Sequence, residues 1–254
     1  MTRRRSRTAG FTLIEITLVL AVLAILAAAV TPMVLQQIVN AKVEATRAEA
    51  KLLHEAIMGG PDVAGSFGFF GDMGRFPRSF EELVRPDAGT ALFSTATFRN
   101  VGMGWKGPYI NTGDSADDYL VDAFGRRYEG APTGQVRSAG PDGVFNTDDD
   151  VVYPPKAPSP VGRLMVTVKR MAAEDIGYTL DPAGYTVRLY YSNNGQQAFV
   201  EDGVAPFVFE NVPQGFHAIV VLRMKNDPPQ AVVQDTIQTV GGGSTRLVEL
   251  IFRL

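Results

Sequence analysis

The sequence predicts an α+β protein in which one long N-terminal helix is followed by a small β-containing head and an all-β sandwich. Three observations predict this order. An apolar run occupies residues 11–30, and the helical spacing of apolar residues continues beyond it to about residue 58. Strand-like segments with alternating polarity then follow a proline-rich stretch at residues 154–160. The chain of 254 residues is long enough for an anchor and two small domains.

The apolar run follows four arginines and is interrupted by a single carboxylate, Glu15. A helix of about 20 residues just spans the hydrocarbon core of a bilayer. A carboxylate inside such a span costs about 2.5–3.5 kcal/mol on insertion scales, so Glu15 needs a compensating role. An ordinary secretory signal, with its shorter apolar core, and a plain membrane anchor both leave Glu15 unexplained.

The segment Gly10-Phe11-Thr12-Leu13-Ile14-Glu15 resembles the processing site of type IV pilins and pseudopilins. The resemblance implies that a prepilin peptidase cuts after Gly10 and N-methylates Phe11. It also implies that Glu15 pairs with the free α-amino group of a neighbouring subunit, which neutralises the buried charge on assembly. The leader arginines are expected to hold the N-terminus in the cytoplasm and to direct the remainder across the membrane.

The helix is expected to continue past the membrane as an amphipathic helix. The apolar residues that recur at spacings of three and four are Val34, Ile38, Ala41, Ala45, Ala48, Leu52 and Ala56. Gly59-Gly60-Pro61 predicts its end. We therefore expect a leader at residues 1–10 and a helix at 11–58, with its membrane part at 11–31.

Residues 59–153 are expected to form the head. Residues 61–72 are predicted to be a loop, and Ser79 with Glu82 three residues later predicts the start of a short helix. Several segments resemble the major pseudopilin of type II secretion systems: Gly-Arg-Phe-Pro at 74–77, the stretches 104–110 and 122–128, and the acidic segments 138–143 and 147–151. Ala123-Phe124 departs from that family's Pro-Trp.

The acidic segments place four aspartates close together in sequence. Clustered carboxylates repel one another unless a cation neutralises them, and Ca²⁺ prefers six to eight oxygen ligands. Composition alone favours a solvated acidic turn. The family resemblance implies a calcium site that uses the side chains of Asp142, Asp148 and Asp150, assisted by Ser138 or a nearby carbonyl, whereas Asp149 is expected to face solvent.

Residues 154–161 are predicted to be a stiff proline-rich linker, and residues 162–254 a β-sandwich module. The segment 209–216, Phe-Glu-Asn-Val-Pro-Gln-Gly-Phe, resembles a turn of carboxypeptidase-regulatory-like or transthyretin-like modules. A generic sandwich is the alternative.

Charge and composition exclude several classes of function. Loss of the four leader arginines changes the formal net charge from −3 to −7, and no basic stripe follows, so no nucleic-acid partner is expected. There is no cysteine, hence no disulfide. The two histidines, His54 and His217, are far apart in sequence, and this spacing does not fit a catalytic triad or a zinc site. No enzyme activity is therefore expected.

Together these features predict a structural subunit of a periplasmic pseudopilus in type II protein secretion. The chain is expected to cross the inner membrane once, with a cytoplasmic N-terminus and periplasmic domains. Its expected partners are further copies of itself, other pseudopilins, prepilin peptidase, the inner-membrane assembly platform and membrane lipid. The alternatives are a type IV pilus subunit and a membrane-mounted, adhesin-like binding module that uses residues 162–254.

Overall fold

The computed structural model describes residues 12–60, 66–111, 118–171, 178–179, 184–223, 230–231 and 236–253. Its first element is the helix α1, Leu13–Met58, of 46 residues. Thr12 is the N-cap, and the N–H of Gly59 closes the last turn on the Glu55 carbonyl at 2.7 Å. One continuous helix therefore joins the apolar run to the head, as the spacing of apolar residues predicts.

The two halves of α1 have different surroundings. Apolar side chains from Leu13 to Ile38 are exposed, whereas Thr46, Ala50 and Leu53 are buried against the head. The exposed half contains an 18-residue window with a mean hydropathy of 2.8, long and apolar enough to cross a membrane. Pro32 lies inside this half, and the hydroxyl of the preceding Thr31 donates to the Ala27 carbonyl at 2.7 Å.

The head is built around the C-terminal half of α1. A short helix α2, Gly68–Met73, follows α1, so the prediction of a loop through residue 72 is wrong. Four 3-10 turns follow at Phe80–Leu83, Phe98–Asn100, Asp118–Leu120 and Ala131–Thr133. The strands β1, Val136–Ser138, and β2, Val151–Tyr153, form an antiparallel pair whose connection is the acidic segment.

One apolar core holds these pieces together. Its buried members are Ala50, Leu53, Ala56, Ile57, Phe69, Met73, Phe80, Leu83, Leu120, Tyr128, Ala131 and Val136. The face of α1 that packs on the head is not the one predicted from the apolar spacing. Ala45, Ala48 and Leu52 of the predicted face are exposed, whereas Thr46, Ala50, Leu53 and Ile57 are buried, and only Ala56 belongs to both sets. Alanines are small and give a weak signal, so the head selects the face that carries Leu53 and Ile57.

The C-terminal module contains nine strands within its described residues. They are β3 Val161–Met171, β4 Tyr178–Thr179, β5 Tyr185–Asn193, β6 Gln196–Asp202, β7 Phe207–Pro213, β8 Gly215–Arg223, β9 Gln230–Ala231, β10 Thr236–Val240 and β11 Thr245–Arg253. One sheet has the order β10-β8-β5-β6, with β9 paired to β8. In the other, β3 pairs with β4, β7 and β11, and only the β3–β11 pair is parallel.

Side chains alternate between the two faces of a strand, so each sheet turns one set of side chains inward. The inward side chains of both sheets form one core. Its members are Leu164, Val166, Val168, Tyr185, Val187, Leu189, Phe207, Phe209, Val212, Ile219, Val221, Val240, Val248 and Leu250. The fold is thus a long apolar helix followed by a mostly β region, and the predicted α+β class is confirmed.

The proline-rich linker connects β2 to β3 without regular secondary structure. It is nevertheless held against the head, since Gln135 Nε2 donates to the Pro154 carbonyl at 3.0 Å. Lys156 and Ala157, at its middle, are exposed.

Candidate functional site

The predicted processing site, Gly10 and Phe11, lies outside the described residues. The structure begins beside it, at the start of α1. Thr12 Oγ1 accepts a hydrogen bond from the Glu15 backbone N–H at 3.3 Å, and the Thr12 carbonyl accepts from the same N–H at 3.1 Å. Thr12 is therefore an N-cap with a side-chain bond to the helix, and Glu15 occupies N3, the position at which a capping box carries Glu or Gln.

This position gives Glu15 a second stabilising influence besides the expected intersubunit pairing. A carboxylate in the first turn interacts favourably with the positive end of the helix macrodipole. Glu15 is also exposed on the single chain, so it is accessible to a neighbouring subunit. A glutamine at position 15 would separate these two roles of Glu15. It fits the N3 position of a capping box, but it carries no charge with which to pair with an α-amino group.

The acidic loop, residues 138–150, is organised by Asp149. Its Oδ2 accepts the Asp142 backbone N–H at 2.9 Å, and its Oδ1 accepts the Thr147 hydroxyl at 2.6 Å. The Thr147 hydroxyl and the Asp142 N–H hold the pKa of the Asp149 carboxyl below its ordinary value. Asp149 is partly exposed, as expected, and it is also bonded within the loop.

Asp150 points the other way, into the head. Its Oδ2 accepts from the Asn146 backbone N–H at 2.8 Å and from the Arg137 guanidinium at 3.2 Å. Its Oδ1 is buried and has no hydrogen-bond partner. A buried carboxylate oxygen without a donor is costly, which makes it the atom of this loop best suited to a cation.

A second set of contacts ties the loop to the rest of the head through Asp122. Its Oδ2 accepts the Ser138 hydroxyl at 2.5 Å, and its Oδ1 accepts the backbone N–H groups of Phe124 and Arg126 at 2.9 Å each. The Arg126 guanidinium in turn donates to the carbonyls of Gly140 and Pro141. The next residue along, Ala123, donates its N–H to Thr46 Oγ1 on α1 at 3.3 Å.

The predicted ligands are thus brought into one loop but not into one cluster of side chains. Asp142 and Asp148 are exposed, Asp142 Oδ1 accepts the Val144 N–H at 2.8 Å, and Ser138 is buried with its hydroxyl engaged by Asp122. Within the described part of the chain, no three His, Cys, Asp or Glu side chains form a group placed to hold a metal ion.

Sequence reasoning did not assign roles to Asp122, Arg126 and Arg137, the side chains that anchor the loop. Asp122 and Arg126 lie in a segment that resembles the pseudopilin family, but a resemblance does not show which loop they contact. Arg137 alternates with buried Val136 and Ser138 on β1, which marks it as facing away from the core and toward the acidic connection.

The comparison with protein families concerns the N-terminal segment. Residues 5–31 match the prokaryotic N-terminal methylation motif. The match contains Gly10, Phe11 and Glu15 and covers the apolar run at the start of α1. It supports a type IV pilin-like protein processed by prepilin peptidase and assembled as pilins are. A comparison with curated proteins found no match.

Proposed function

We propose that this chain is a pseudopilin-like subunit of a type II secretion system. In this proposal, prepilin peptidase cuts after Gly10, Phe11 becomes the methylated N-terminus, and the exposed half of α1 polymerises in the inner membrane into a periplasmic filament. The observation that carries the proposal is the methylation motif at residues 5–31, which covers the start of α1, together with the exposure of the apolar side chains of α1 from Leu13 to Ile38.

Mass spectrometry of the mature N-terminus tests the processing step. The expected first residue is N-methylated Phe11. A mature chain that begins at Val30, after the Ala27-Ala28-Ala29 segment, would indicate an ordinary signal peptidase and contradict the proposal. A bulky residue in place of Gly10 should block processing, whereas alanine there should allow it in part.

Substitutions of Glu15 separate its two roles. Glu15→Gln keeps a capping-box side chain but removes the charge, and Glu15→Leu removes both. If Glu15 pairs with an α-amino group on a neighbouring copy, both variants should insert in the membrane at least as well as the wild type, yet neither should form filaments. Normal filaments from Glu15→Gln would show that the charge of Glu15 is not needed for assembly and would leave helix capping as its role.

The same assembly principle serves type IV pilus subunits, which remain the second candidate. The resemblance of the head to major pseudopilins favours secretion, and the departure at Ala123-Phe124 and the additional C-terminal module point to a specialised subunit. Gene neighbourhood separates the two candidates: genes for a secretin, an assembly ATPase and further pseudopilins in one cluster favour the secretion system. The proposal also includes that residues 162–254 are a carboxypeptidase-regulatory-like or transthyretin-like module, which the segment 209–216 resembles.

We also propose that the acidic loop binds Ca²⁺. The buried, unpartnered Asp150 Oδ1 supports this, and carboxylate, hydroxyl and carbonyl oxygens are the ligands that calcium prefers. Asp150, Asp142 and Asp148 would supply carboxylates, and Ser138 would assist. The ion would neutralise the repulsion within the loop and stabilise the connection between β1 and β2.

Thermal unfolding tests the calcium proposal. An ion that binds only the folded state adds about 2.7 kcal/mol when its free concentration is 100-fold above its dissociation constant. Chelator should therefore lower the melting temperature, and Ca²⁺ should restore it better than Mg²⁺, which demands a tight octahedron. Asp150→Asn should abolish the response. Identical melting curves with chelator and with millimolar calcium would show that the loop is a solvated acidic turn and would contradict the calcium proposal.

A further inference from the structure

The strand β8 of the C-terminal module is apolar on both of its faces. Ile219 and Val221 point into the module's own core, but Ala218, Val220 and Leu222 on the opposite face are also buried, at 0%, 3% and 7% exposure. The outer face of a free-standing antiparallel sheet normally alternates to polar residues that meet water. The sequence of β8 is therefore that of a strand covered on both sides.

The head supplies part of this cover. Ala218 forms one buried cluster with Val101 and Met103 of the head, and Tyr190 of β5 packs against it. Nearby, the rings of Phe67 and Phe216 meet edge to face, with centroids 5.5 Å apart.

The module also donates hydrogen bonds to the segment that ends α1 and forms α2. The four bonds are Gln214 Nε2 to the carbonyls of Met58 at 2.7 Å and Phe67 at 3.3 Å, Ser192 Oγ to Asp72 O at 2.8 Å, and Gly195 N–H to Met73 O at 2.8 Å. The last carbonyls of a helix have no partner within it. Gln214, itself 5% exposed, thus caps the C-terminus of α1 from another part of the fold.

The backbones approach so closely here that glycine is required. Gly74 ends α2 with φ of 69°, and a Cβ at this position would overlap the Ser192 carbonyl. On the module side, Gly215 has φ of 139°, and its Cβ would lie 3.0 Å from the Gly71 carbonyl oxygen. The helix α2 thus fits against the end of β5 and the start of β8 without side chains between them, as in a permanent interface.

We propose that the C-terminal module is an obligate part of the head: it caps α1 and folds with the head as one body, rather than hanging from the linker as a separate binding domain. The face formed by β8 and β5 then has the head as its partner and is closed to other ligands where the two meet. This inference does not depend on the proposed secretion role.

Cutting the linker tests the proposal on the full chain in detergent. A protease site inserted between the exposed Lys156 and Ala157 leaves every interface residue in place. After cleavage, the module has no covalent link to the membrane helix, so it should co-elute with the detergent-bound head only if the interface holds it. Retention at micromolar concentration and a single calorimetric transition before cleavage are expected. Release of the module, or two separate transitions, would overturn the proposal.

Gln214→Ala probes the capping bonds directly. It leaves the Met58 carbonyl without its donor, and we expect the cut module to be held about tenfold less tightly. Gln196→Ala, on the exposed strand β6, is the matched control and should change nothing. Equal retention of the Gln214→Ala and Gln196→Ala modules would show that the capping bonds do not hold the module and would contradict the proposal.

Discussion

At the residue scale, Glu82 is the most enclosed charge of the head, with no exposed surface. Its carboxylate accepts from both ends of the Arg75 guanidinium and from the Arg78 backbone N–H at 2.9 Å. Arg75 also lies over the Phe69 ring, 5.2 Å from its centroid. Burial by itself would raise the pKa of Glu82, but the hydrogen bonds from Arg75 and Arg78 hold it below its ordinary value.

Glu82→Gln should destabilise the head by about 3 kcal/mol, because it leaves a largely buried guanidinium without its counter-charge. Glu81→Gln is the control, since the Glu81–Arg127 pair is on the surface and should contribute no more than about 0.5 kcal/mol. Denaturant unfolding at neutral pH measures both. An equal, small effect of the two substitutions would show that the Glu82–Arg75 pair adds nothing beyond a surface contact.

His217 makes stability depend on pH in a defined window. It is buried, its Nε2 lies 2.8 Å from the Pro213 carbonyl, and its Nδ1 has no partner. Burial lowers its pKa to about 4, against about 6.5 in an unfolded chain. Above pH 6.5 both states are neutral; as the pH falls from 6.5 to 4, only the unfolded state gains a proton, and folding loses about 3 kcal/mol.

Unfolding free energies measured between pH 7 and 4.5 should therefore fall in the wild type and fall less steeply in His217→Gln, which has no titratable group there. Below about 4.5 protonation of Glu82 adds a further loss, because a carboxyl with a lowered pKa stabilises the fold only while it is ionised. Parallel pH profiles for the wild type and His217→Gln would assign the acid sensitivity to other groups.

The residue types of these positions did not reveal their roles in the sequence. The spacing of Ser79 and Glu82 predicts a capping box, and a 3-10 turn does begin at Phe80, but Ser79 makes no side-chain cap bond to that turn. The carboxylate pairs instead with Arg75, seven residues earlier. Local spacing gives only local partners, so a buried ion pair set by tertiary packing was not predictable. Glu15 differs from Glu82 in this respect, because its expected role comes from the short motif at residues 10–15, which can be recognised in the sequence.

At the scale of single elements, the hydrogen bonds of Asp149 are expected to order the acidic loop even when no cation is bound. Asp149→Ala removes the acceptor of the Asp142 N–H, so in the presence of chelator the Asp142 amide should exchange its hydrogen faster. Asp148→Ala is the matched control, because Asp148 is an exposed neighbour of the same charge. Equal exchange in the two variants would mean that the bond to Asp149 does not order the loop.

Predictability also varies from element to element. The helix α1 follows from an apolar period of 3.6, the strands β3, β5, β7 and β11 from alternation, and β8 from a short continuous apolar run. The strand β6 does not, because Gln196–Asp202 is an edge strand whose side chains are mostly exposed, and exposed edges carry little apolar pattern. The helix α2 starts with Gly68 and has no side-chain cap, so it lacks the usual start signals and is held by packing of Phe69, Phe70 and Met73.

At the scale of the whole molecule, α1 divides the chain into a part that needs an apolar partner and a part that does not. Contact with the head begins near Lys42, whose ammonium lies 5.5 Å from the Phe124 ring centroid, and burial begins at Thr46. Before this point, side chains such as Leu20, Ile25 and Leu35 are at least half exposed. A continuous apolar surface of this kind is stable only in lipid or against other subunits.

A chain that begins at residue 42 should therefore be a soluble, folded monomer, whereas the mature chain should require detergent. It retains every buried residue of α1 and the cap that Gln214 gives to Met58, so its melting temperature should match that of the full chain within a few degrees. A chain that begins at residue 59 loses Leu53 and Ile57 from the core and should not fold, because each large core side chain contributes about 2–5 kcal/mol. Size-exclusion chromatography and thermal unfolding of both versions measure the difference. Oligomers of the 42–254 chain at micromolar concentration would place subunit contacts in the head or the C-terminal module, instead of in the exposed half of α1 alone.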